Sequence, residues 1–143
     1  METLEALRQK VREVCARYRC IYALIFGSWA RGEARPYSDL DVAVMLEGNK
    51  DALFETIVEM TRELEHAVQL RVNVVVLNTA DSVLKYEVFS HGVLVYCRDY
   101  TRFLDDKINA IDEYLDFQPH FERFFERTVK EIQHAATRCK STD

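Results

Sequence analysis

Short apolar runs alternate along this chain with segments of helical spacing, and the pattern predicts a small mixed α/β (α+β) domain. Four apolar runs are predicted strands: 20–26, 40–46, 70–77 and 93–97. Apolar side chains three and four residues apart predict two longer helices, 3–18 and 51–67, and a third is predicted over 81–90. Asp81 stands where the last of these helices would be capped, and Gly92 where it would end. This order predicts helices flanking a small mixed β-sheet, with the fourth strand at an edge.

The last third of the chain has no strand signal after Asp99. One face of a predicted helix is marked by four apolar residues: Leu104, Ile108, Ile111 and Leu115. Pro119 ends that helix, and a second predicted helix follows, with Phe121, Phe124 and Phe125 on one face. Together with Phe117, just before the proline, these residues form a dense aromatic group. We interpret 1–98 as the α/β domain and 99–143 as a C-terminal helical pair. The pair either covers the sheet or docks on a partner, since aromatic residues anchor interfaces.

Composition narrows the class of protein. The chain has 143 residues, of which 48% are hydrophobic and 30% charged, with a net charge of −5. This balance is typical of a globular domain and disfavours a direct nucleic-acid binder, which needs a basic face. No apolar run reaches membrane-spanning length and the first residues do not resemble a signal peptide, so we expect a cytoplasmic protein. The four scattered cysteines are expected to be reduced thiols.

Two carboxylates begin the second predicted strand, where folding alone does not explain them. Asp39 and Asp41 flank Leu40, and alternation along a strand turns both side chains to one face, about 7 Å apart along the backbone. Like charges held this close repel each other unless a cation lies between them. A hard divalent ion with oxygen ligands, Mg²⁺ or Mn²⁺, is the expected occupant.

A second motif, Gly27–Gly32, follows the first predicted strand. Gly27 lets the chain turn sharply and lets the backbone approach a ligand, and Ser28 stands where a short helix can begin. Free N–H groups at a helix start bind anions. Strand, turn, short helix and returning strand would therefore place N–H donors and two carboxylates around one triphosphate. The plain alternative is a glycine turn with an aspartate pair capping a strand.

The pattern of Gly27-Ser28, ten residues and Asp39-x-Asp41 resembles the nucleotidyltransferase superfamily that includes DNA polymerase β. The strings Gly27–Ala34 and Ser38–Val44 are similar to its minimal nucleotidyltransferase (MNT) branch, and within it to the MntA antitoxins of HEPN/MNT toxin–antitoxin pairs. Val72–Ala80 is similar to that family's third strand and the turn after it, and Tyr114–Pro119 to a segment near its C-terminus. The resemblance covers most of the chain and implies the nucleotidyltransferase fold.

The resemblance implies a transferase that takes AMP from ATP. Gly27 and Ser28 would hold the β and γ phosphates, and Asp39 and Asp41 would bind two Mg²⁺ ions, with Mn²⁺ also possible. One ion would hold the triphosphate and the other would lower the pKa of the attacking hydroxyl. In the antitoxin family the acceptor is a tyrosine of the partner HEPN ribonuclease toxin. A hetero-oligomer with such a toxin, silenced by AMP, is therefore implied.

Two further residues are candidates for the nucleotide site. Arg31 lies one turn of the short helix from Ser28 and either contacts phosphate or is a solvated helix residue. Ser38, just before the first carboxylate, belongs to the same set of expected nucleotide-binding residues.

The chain departs from the superfamily at Asn73, where a third carboxylate is usual. Val72 and Val74 would face the opposite side of the third strand, so Asn73 can point at the aspartate pair. Its amide oxygen can ligate a metal but has no charge and accepts no proton. At about 4 Å and an effective dielectric constant near 20, one charge is worth about 4 kcal/mol. That is about a thousandfold in rate if fully expressed in the transition state.

Three alternatives remain open at this stage. A catalytically weakened, nucleotide-binding antitoxin would act by forming a complex with its toxin. An antibiotic-type nucleotidyltransferase has the same motif logic but usually needs a longer chain to build a drug pocket. A DNA-binding regulator is disfavoured by the acidic balance, although a toxin–antitoxin complex could bind its operator jointly.

Overall fold

A computed structural model describes residues 3–116 of the chain, apart from the side chain of Lys50. The helices and strands over this range are α1 (Leu4–Cys15), β1 (Cys20–Phe26), α2 (Ser28–Arg31), β2 (Leu40–Leu46), α3 (Lys50–Val68), β3 (Val72–Val76), α4 (Ser82–His91), β4 (Val93–Cys97) and α5 (100–116). The chain divides into two compact units, Met1–Ile111 and Asp112–Asp143. Within residues 3–116, no helix is both long enough and apolar enough to cross a membrane.

The four strands form one mixed sheet in the order β3-β2-β1-β4. β1 pairs antiparallel with β2 and with β4, whereas β2 and β3 run parallel. The predicted mixed α/β fold is therefore confirmed, and β4 lies at an edge as expected. The parallel pairing sets Asp41 beside Asn73, and the antiparallel pairing sets Asp41 beside Phe26 at the end of β1.

Both faces of the sheet are covered by apolar side chains. On one face, residues of α1 and α3 pack with Ala23, Ile25 and Val42 in a first core cluster. On the other face, α4 and α5 contribute Phe89 and Phe103 to a second cluster with Tyr22. Because β1 is covered on both sides, its residues from Cys20 to Ile25 are all buried. This explains why its sequence is a continuous apolar run without polar alternation.

Helix boundaries follow capping chemistry. Side-chain oxygens of three N-cap residues accept hydrogen bonds from backbone N–H groups of the first turn: Thr3, Asn49 and Asp81. The predicted start and end of α4, at Asp81 and Gly92, are thereby confirmed. The predicted helix over 3–18 is too long, since α1 ends at Cys15. The third strand spans Val72–Val76 where 70–77 was expected, because Gln69 ends α3 with a left-handed backbone (φ 57°) and Leu70 and Arg71 make the connection.

The helix α5 turns a different face to the core from the one its sequence suggests. Phe103 and Ala110 are buried, whereas Leu104, Ile108 and Leu115 are exposed. The Tyr22 hydroxyl donates a hydrogen bond of 2.7 Å to Oδ2 of Asp106, so the face carrying Phe103, Asp106 and Ala110 meets the sheet. The predicted end of this helix at Pro119, the second helix and the aromatic group beginning at Phe117 lie outside the described residues.

Arginines of α1 protect the edge strand. Arg8 Nη2 donates to the Leu94 carbonyl oxygen (3.2 Å), and Arg12 Nε to that of Val95 (3.1 Å). Both arginines line a cleft of about 550 Å³ between α1 and β4. These contacts satisfy carbonyl groups at the edge, where an unprotected strand invites pairing with another chain.

The cysteines described by the structure are free thiols, as predicted. Cys15 and Cys20 are buried and Cys97 is half-buried; Cys139 lies outside the described residues. A hydrogen bond with Cys15, together with burial, raises the pKa of the Cys20 thiol. A neutral buried thiol is unreactive, so Cys20 serves packing.

Candidate active site

The site begins at Gly27, which joins β1 to α2. Its backbone angles (φ 74°, ψ −150°) lie in a region that side chains rarely adopt. A Cβ atom at this position would lie 2.2 Å from Oδ2 of Asp41. The carboxylate of Asp41 therefore packs directly against the backbone of the turn. Glycine is required here twice, for its conformation and for the space it leaves.

Asp41 is held from its other side by Asn73. The two residues are partners in the parallel pairing of β2 and β3, and Asn73 Nδ2 donates a hydrogen bond of 3.1 Å to Asp41 Oδ1. The two oxygens of one carboxylate thus face two separate segments, the Gly27 turn and the third strand. Asn73 is predicted to point at the aspartate pair, and its hydrogen bond confirms this for Asp41.

Asp39 lies just before β2 and is exposed. Leu40, the next residue, is fully buried in the first core cluster. Asp41 is on the opposite side of β2, the side that Ala43 presents to the second cluster. Asp39 is exposed and Asp41 half-buried. Because Asp39 precedes the strand, the common face of the two carboxylates stays a prediction.

The short helix α2 follows Gly27 directly. Arg31 N–H donates to the Gly27 carbonyl oxygen (3.1 Å) and Glu33 N–H to that of Ser28 (2.9 Å), while Gly32 ends the helix with φ 73°. The first N–H groups of a helix have no acceptor within it. Those that begin α2 belong to the same turn that contacts Asp41. The structure therefore brings the turn at Gly27 and Ser28 against Asp41.

Trp29 fixes the segment that leads from α2 to Asp39. Its side chain is buried in the first cluster, and Nε1 donates a hydrogen bond of 3.0 Å to the Ser38 carbonyl oxygen. The Ser38 hydroxyl in turn accepts a hydrogen bond from the Arg35 N–H (2.8 Å). Ser38 is therefore engaged in holding a turn, and its contact with a nucleotide stays a prediction.

Arg31 is exposed and paired with two glutamates. Its Nε lies 3.1 Å from Glu33 Oε2, and its Nη1 lies 3.8 Å from Glu87 Oε1 on α4. Glu87 also lies 3.5 Å from His91 Nδ1. Exposed ion pairs of this kind contribute about 0–1 kcal/mol, so a phosphate can displace these glutamates from Arg31. Sequence analysis missed Glu87, because only the packing of α4 on the sheet brings it near the motif.

The donor set at the site fits a hard divalent ion. Asp39 and Asp41 offer carboxylate oxygens, and the side-chain amide of Asn73 offers a neutral one at the adjacent register position. Across residues 3–116, no three or more His, Cys, Asp or Glu side chains cluster as a closed metal site would require.

Comparisons with known proteins find related sequences and chains of similar fold. A protein of Methanocaldococcus jannaschii, named as a proposed protein adenylyltransferase, is 28% identical over 90 residues, which cover 63% of this chain and 95% of that protein. A chain in the crystal structure of a toxin–antitoxin with AMP-PNP superposes with a TM-score of 0.70 at 21% identity, covering 85% of this chain and 98% of that one.

A further structure shares the fold. A chain in the structure of a tri-AMPylated Shewanella oneidensis HEPN toxin in complex with MNT antitoxin superposes with a TM-score of 0.68 at 18% identity, covering 89% and 99% of the two chains. Residues 9–101 match the family described as polymerase beta, nucleotidyltransferase, and this span contains the Gly27 turn, both aspartates and Asn73. The chain belongs to the polymerase β nucleotidyltransferase family.

Proposed function

We propose that this chain is an antitoxin that transfers AMP from ATP to a tyrosine of a cognate HEPN ribonuclease toxin and thereby silences it. The observation that carries the proposal is the placement of Asp41, whose carboxylate contacts both the Gly27 turn and Asn73. The adenylyltransferase name of the archaeal relative and the toxin–antitoxin assemblies that share the fold support the choice of reaction and acceptor.

In this proposal each element of the site has one task. The backbone at Gly27 and Ser28 binds the β and γ phosphates, because no side chain at Gly27 blocks their approach. Asp39 and Asp41 hold two Mg²⁺ ions, or Mn²⁺ ions, with the amide oxygen of Asn73 as a neutral neighbour. When bound, such ions lower the pKa of an attacking hydroxyl and offset charge on the phosphates.

The reaction is an in-line displacement at the α-phosphorus. The tyrosine oxygen of the acceptor forms a bond to the α-phosphorus, the bond from that phosphorus to the bridging oxygen breaks, and pyrophosphate leaves. Arg31 exchanges Glu33 and Glu87 for a phosphate oxygen of the substrate. Asn73 keeps the Asp41 carboxylate in place but cannot accept the proton of the tyrosine hydroxyl. That proton is released to solvent.

The partner is a HEPN-domain protein, and the functional form is a hetero-oligomer. The exposed apolar side chains of Leu104 and Ile108 on α5 are the surface on which we expect the toxin to dock. The proposal assigns the protein to the cytoplasm, where both ATP and the RNA cleaved by a ribonuclease are found. It includes neither membrane attachment nor direct nucleic-acid binding by this chain.

Transfer of label from α-labelled ATP, in Mg²⁺, to the purified HEPN protein encoded beside this chain tests the proposal. We expect label on the toxin with the wild-type chain and at least a hundredfold less with Asp39→Asn or Asp41→Asn, because each loses a charged metal ligand. Asp51→Asn, in the first turn of α3, is the matched control and should transfer normally. Label that persists undiminished in both motif variants would contradict the proposal.

Asn73 favours a second candidate, a nucleotide-binding antitoxin with little turnover. The third carboxylate that is usual in the superfamily is replaced by a neutral amide that already donates a hydrogen bond to Asp41. In this case the chain binds Mg·ATP but neutralises its toxin by complex formation. Neutralisation would then be unaffected by the loss of Asp39 or Asp41.

A further inference from the structure

Tyr37 is unusually exposed for a large aromatic residue. Its side chain is 93% exposed, compared with 72% for Phe54 and 60% for Tyr100, the next most exposed aromatic residues in the part of the chain that the structure describes. It lies two residues before Asp39, in the segment between α2 and β2. Consecutive residues are 3.8 Å apart, so the Cα atoms of Tyr37 and Asp39 are at most about 7 Å apart.

The backbone that carries Tyr37 is held in an ordered turn. Ser38 N–H donates to the Arg35 carbonyl oxygen (3.0 Å), and Arg35 N–H donates to the Ser38 hydroxyl (2.8 Å). Pro36, the residue before Tyr37, has a fixed φ, and the buried indole of Trp29 donates a hydrogen bond to the Ser38 carbonyl oxygen. The phenol ring is thus displayed from a fixed position, and binding a ligand needs only its two side-chain torsions to be ordered.

The position of this ring suits the base of a bound nucleotide. A triphosphate at Gly27, Asp39 and Asp41 leaves the sugar and base to extend beyond the phosphate turn. The other aromatic residues of this turn are more covered. Trp29 is buried in the first core cluster, and Phe26 is half-buried against the second. Tyr37 offers a solvent-facing ring on a residue two positions from Asp39.

We propose that the purine ring of the substrate nucleotide stacks on Tyr37, an inference that rests on the proposed function. Stacking of a base on an aromatic side chain tolerates any base, since every base has a π-face. The contact is also uncharged, whereas the phosphate contacts are screened by salt. Tyr37 therefore adds similar affinity for ATP and GTP, and its contribution varies little with ionic strength.

Calorimetric titration of the full chain separates base binding from phosphate binding. The probes are Mg·ATP, Mg·GTP and Mg·tripolyphosphate, which has no base. The variants are Tyr37→Ala, Tyr37→Phe and, as a matched control, Tyr100→Ala. Tyr100 begins α5 after β4, whose last residue, Cys97, pairs with Tyr22 near the start of β1. Asp41 pairs with Phe26 at the other end of that strand, so the control lies away from the site.

We expect Tyr37→Ala to weaken Mg·ATP and Mg·GTP binding about tenfold and to leave Mg·tripolyphosphate binding unchanged. Tyr37→Phe and Tyr100→Ala should bind all three probes within about twofold of wild type. Equal weakening of tripolyphosphate would overturn the inference, since Tyr37 would then support only the turn. Unchanged ATP binding would also overturn it, and loss of toxin binding in that case would assign Tyr37 to the protein interface.

A different result of the same experiment would contradict the proposed function itself. If the wild-type chain binds neither Mg·ATP nor Mg·tripolyphosphate, the proposed phosphate site itself is wrong, and the base subsite falls with it. If the wild type binds both equally tightly, the phosphate site stands and the stacking inference alone is overturned.

Discussion

At the scale of single residues, the site depends on a close approach between Gly27 and Asp41. Any side chain at position 27 would meet the carboxylate, and the backbone there is left-handed as well. Gly32, five residues later, has almost the same φ, but a Cβ there would meet nothing within 4 Å. The two glycines therefore separate the cost of backbone conformation from the cost of displacing a functional side chain.

We predict that Gly27→Ala abolishes most transfer while Gly32→Ala keeps it. Gly32→Ala should lose about 1 kcal/mol of unfolding free energy from its left-handed backbone, and Gly27→Ala more, because its φ and ψ lie in a region essentially restricted to glycine. Only Gly27→Ala moves Asp41, and a displacement of about 1 Å in an active site can cost about a hundredfold in rate. Label transfer and urea unfolding check this. Equal losses of transfer in the two variants would mean that the contact with Asp41 has no catalytic importance.

We predict that Asn73→Asp speeds transfer about tenfold and tightens Mg²⁺ binding. A full charge at 4 Å is worth about 4 kcal/mol at a dielectric constant of 20. Asn73 is exposed, however, and solvent screening reduces that effect. Without Mg²⁺ the new carboxylate repels Asp41, so the variant should be stabilised by Mg²⁺ more than wild type. The transfer rate and the thermal unfolding temperature, each measured as a function of Mg²⁺ concentration, check this. Asn73→Ala, which removes the hydrogen bond but adds no charge, is the control.

An unchanged or slower transfer rate in Asn73→Asp at saturating Mg²⁺ would show that the third ligand position lies elsewhere. The family resemblance and strand alternation predict that Asn73 points at the aspartate pair, but not that it pairs in register with Asp41. The sequence could not show that the Ser38 hydroxyl is occupied by the Arg35 N–H, or that Glu87 reaches Arg31. Those contacts depend on how a turn closes and how α4 packs.

At the scale of elements, α5 shows how periodicity can indicate the wrong face. Leu104 and Ile108 are spaced as a buried stripe would be, and so are Phe103, Asp106 and Ala110 on the adjacent face. The Tyr22 hydroxyl selects the second stripe by its hydrogen bond to Asp106, and the Phe103 ring packs edge-on against the ring of Tyr22, 5.1 Å away. Nothing in the sequence indicates that Asp106 would bind the buried Tyr22 hydroxyl, so this stripe looks polar and exposed.

We predict that the contact between β1 and α5 weakens in alkaline solution. Burial, with the hydrogen bond to Asp106, raises the pKa of the Tyr22 hydroxyl. Its folded pKa then exceeds the unfolded value of about 10, so its contribution is complete below pH 10 and is lost as the pH rises above it. Tyr22→Phe should lose about 1 kcal/mol at pH 7 and show a flatter decline above pH 10.

Urea unfolding at pH 7 and between pH 9.5 and 11 measures this effect. Tyr100→Phe, at an exposed tyrosine, should keep the wild-type dependence on pH. If Tyr22→Phe loses stability above pH 10 as steeply as wild type, then Tyr22 does not carry the alkaline sensitivity.

At the scale of the whole molecule, sequence pattern predicts the four strands and their flanking helices within a few residues. The order β3-β2-β1-β4 and the parallel pairing of β2 with β3 are not visible in the pattern, since they depend on which edges meet. The fully buried Ile21–Ile25 segment gives the one hint, because a strand apolar on both faces must lie inside the sheet. The family match then joins this sheet to nucleotidyl transfer.

The ribonuclease activity of the toxin after the antitoxin has been removed tests the central claim most directly. The toxin is incubated with Mg²⁺, ATP and either the wild-type chain or an Asp39→Asn/Asp41→Asn double variant, and is then purified away from it. We predict that toxin treated with the wild type stays inactive and carries AMP, whereas toxin treated with the double variant regains full activity. Toxin that regains full activity after both treatments would contradict transfer and leave simple complex formation as the mechanism.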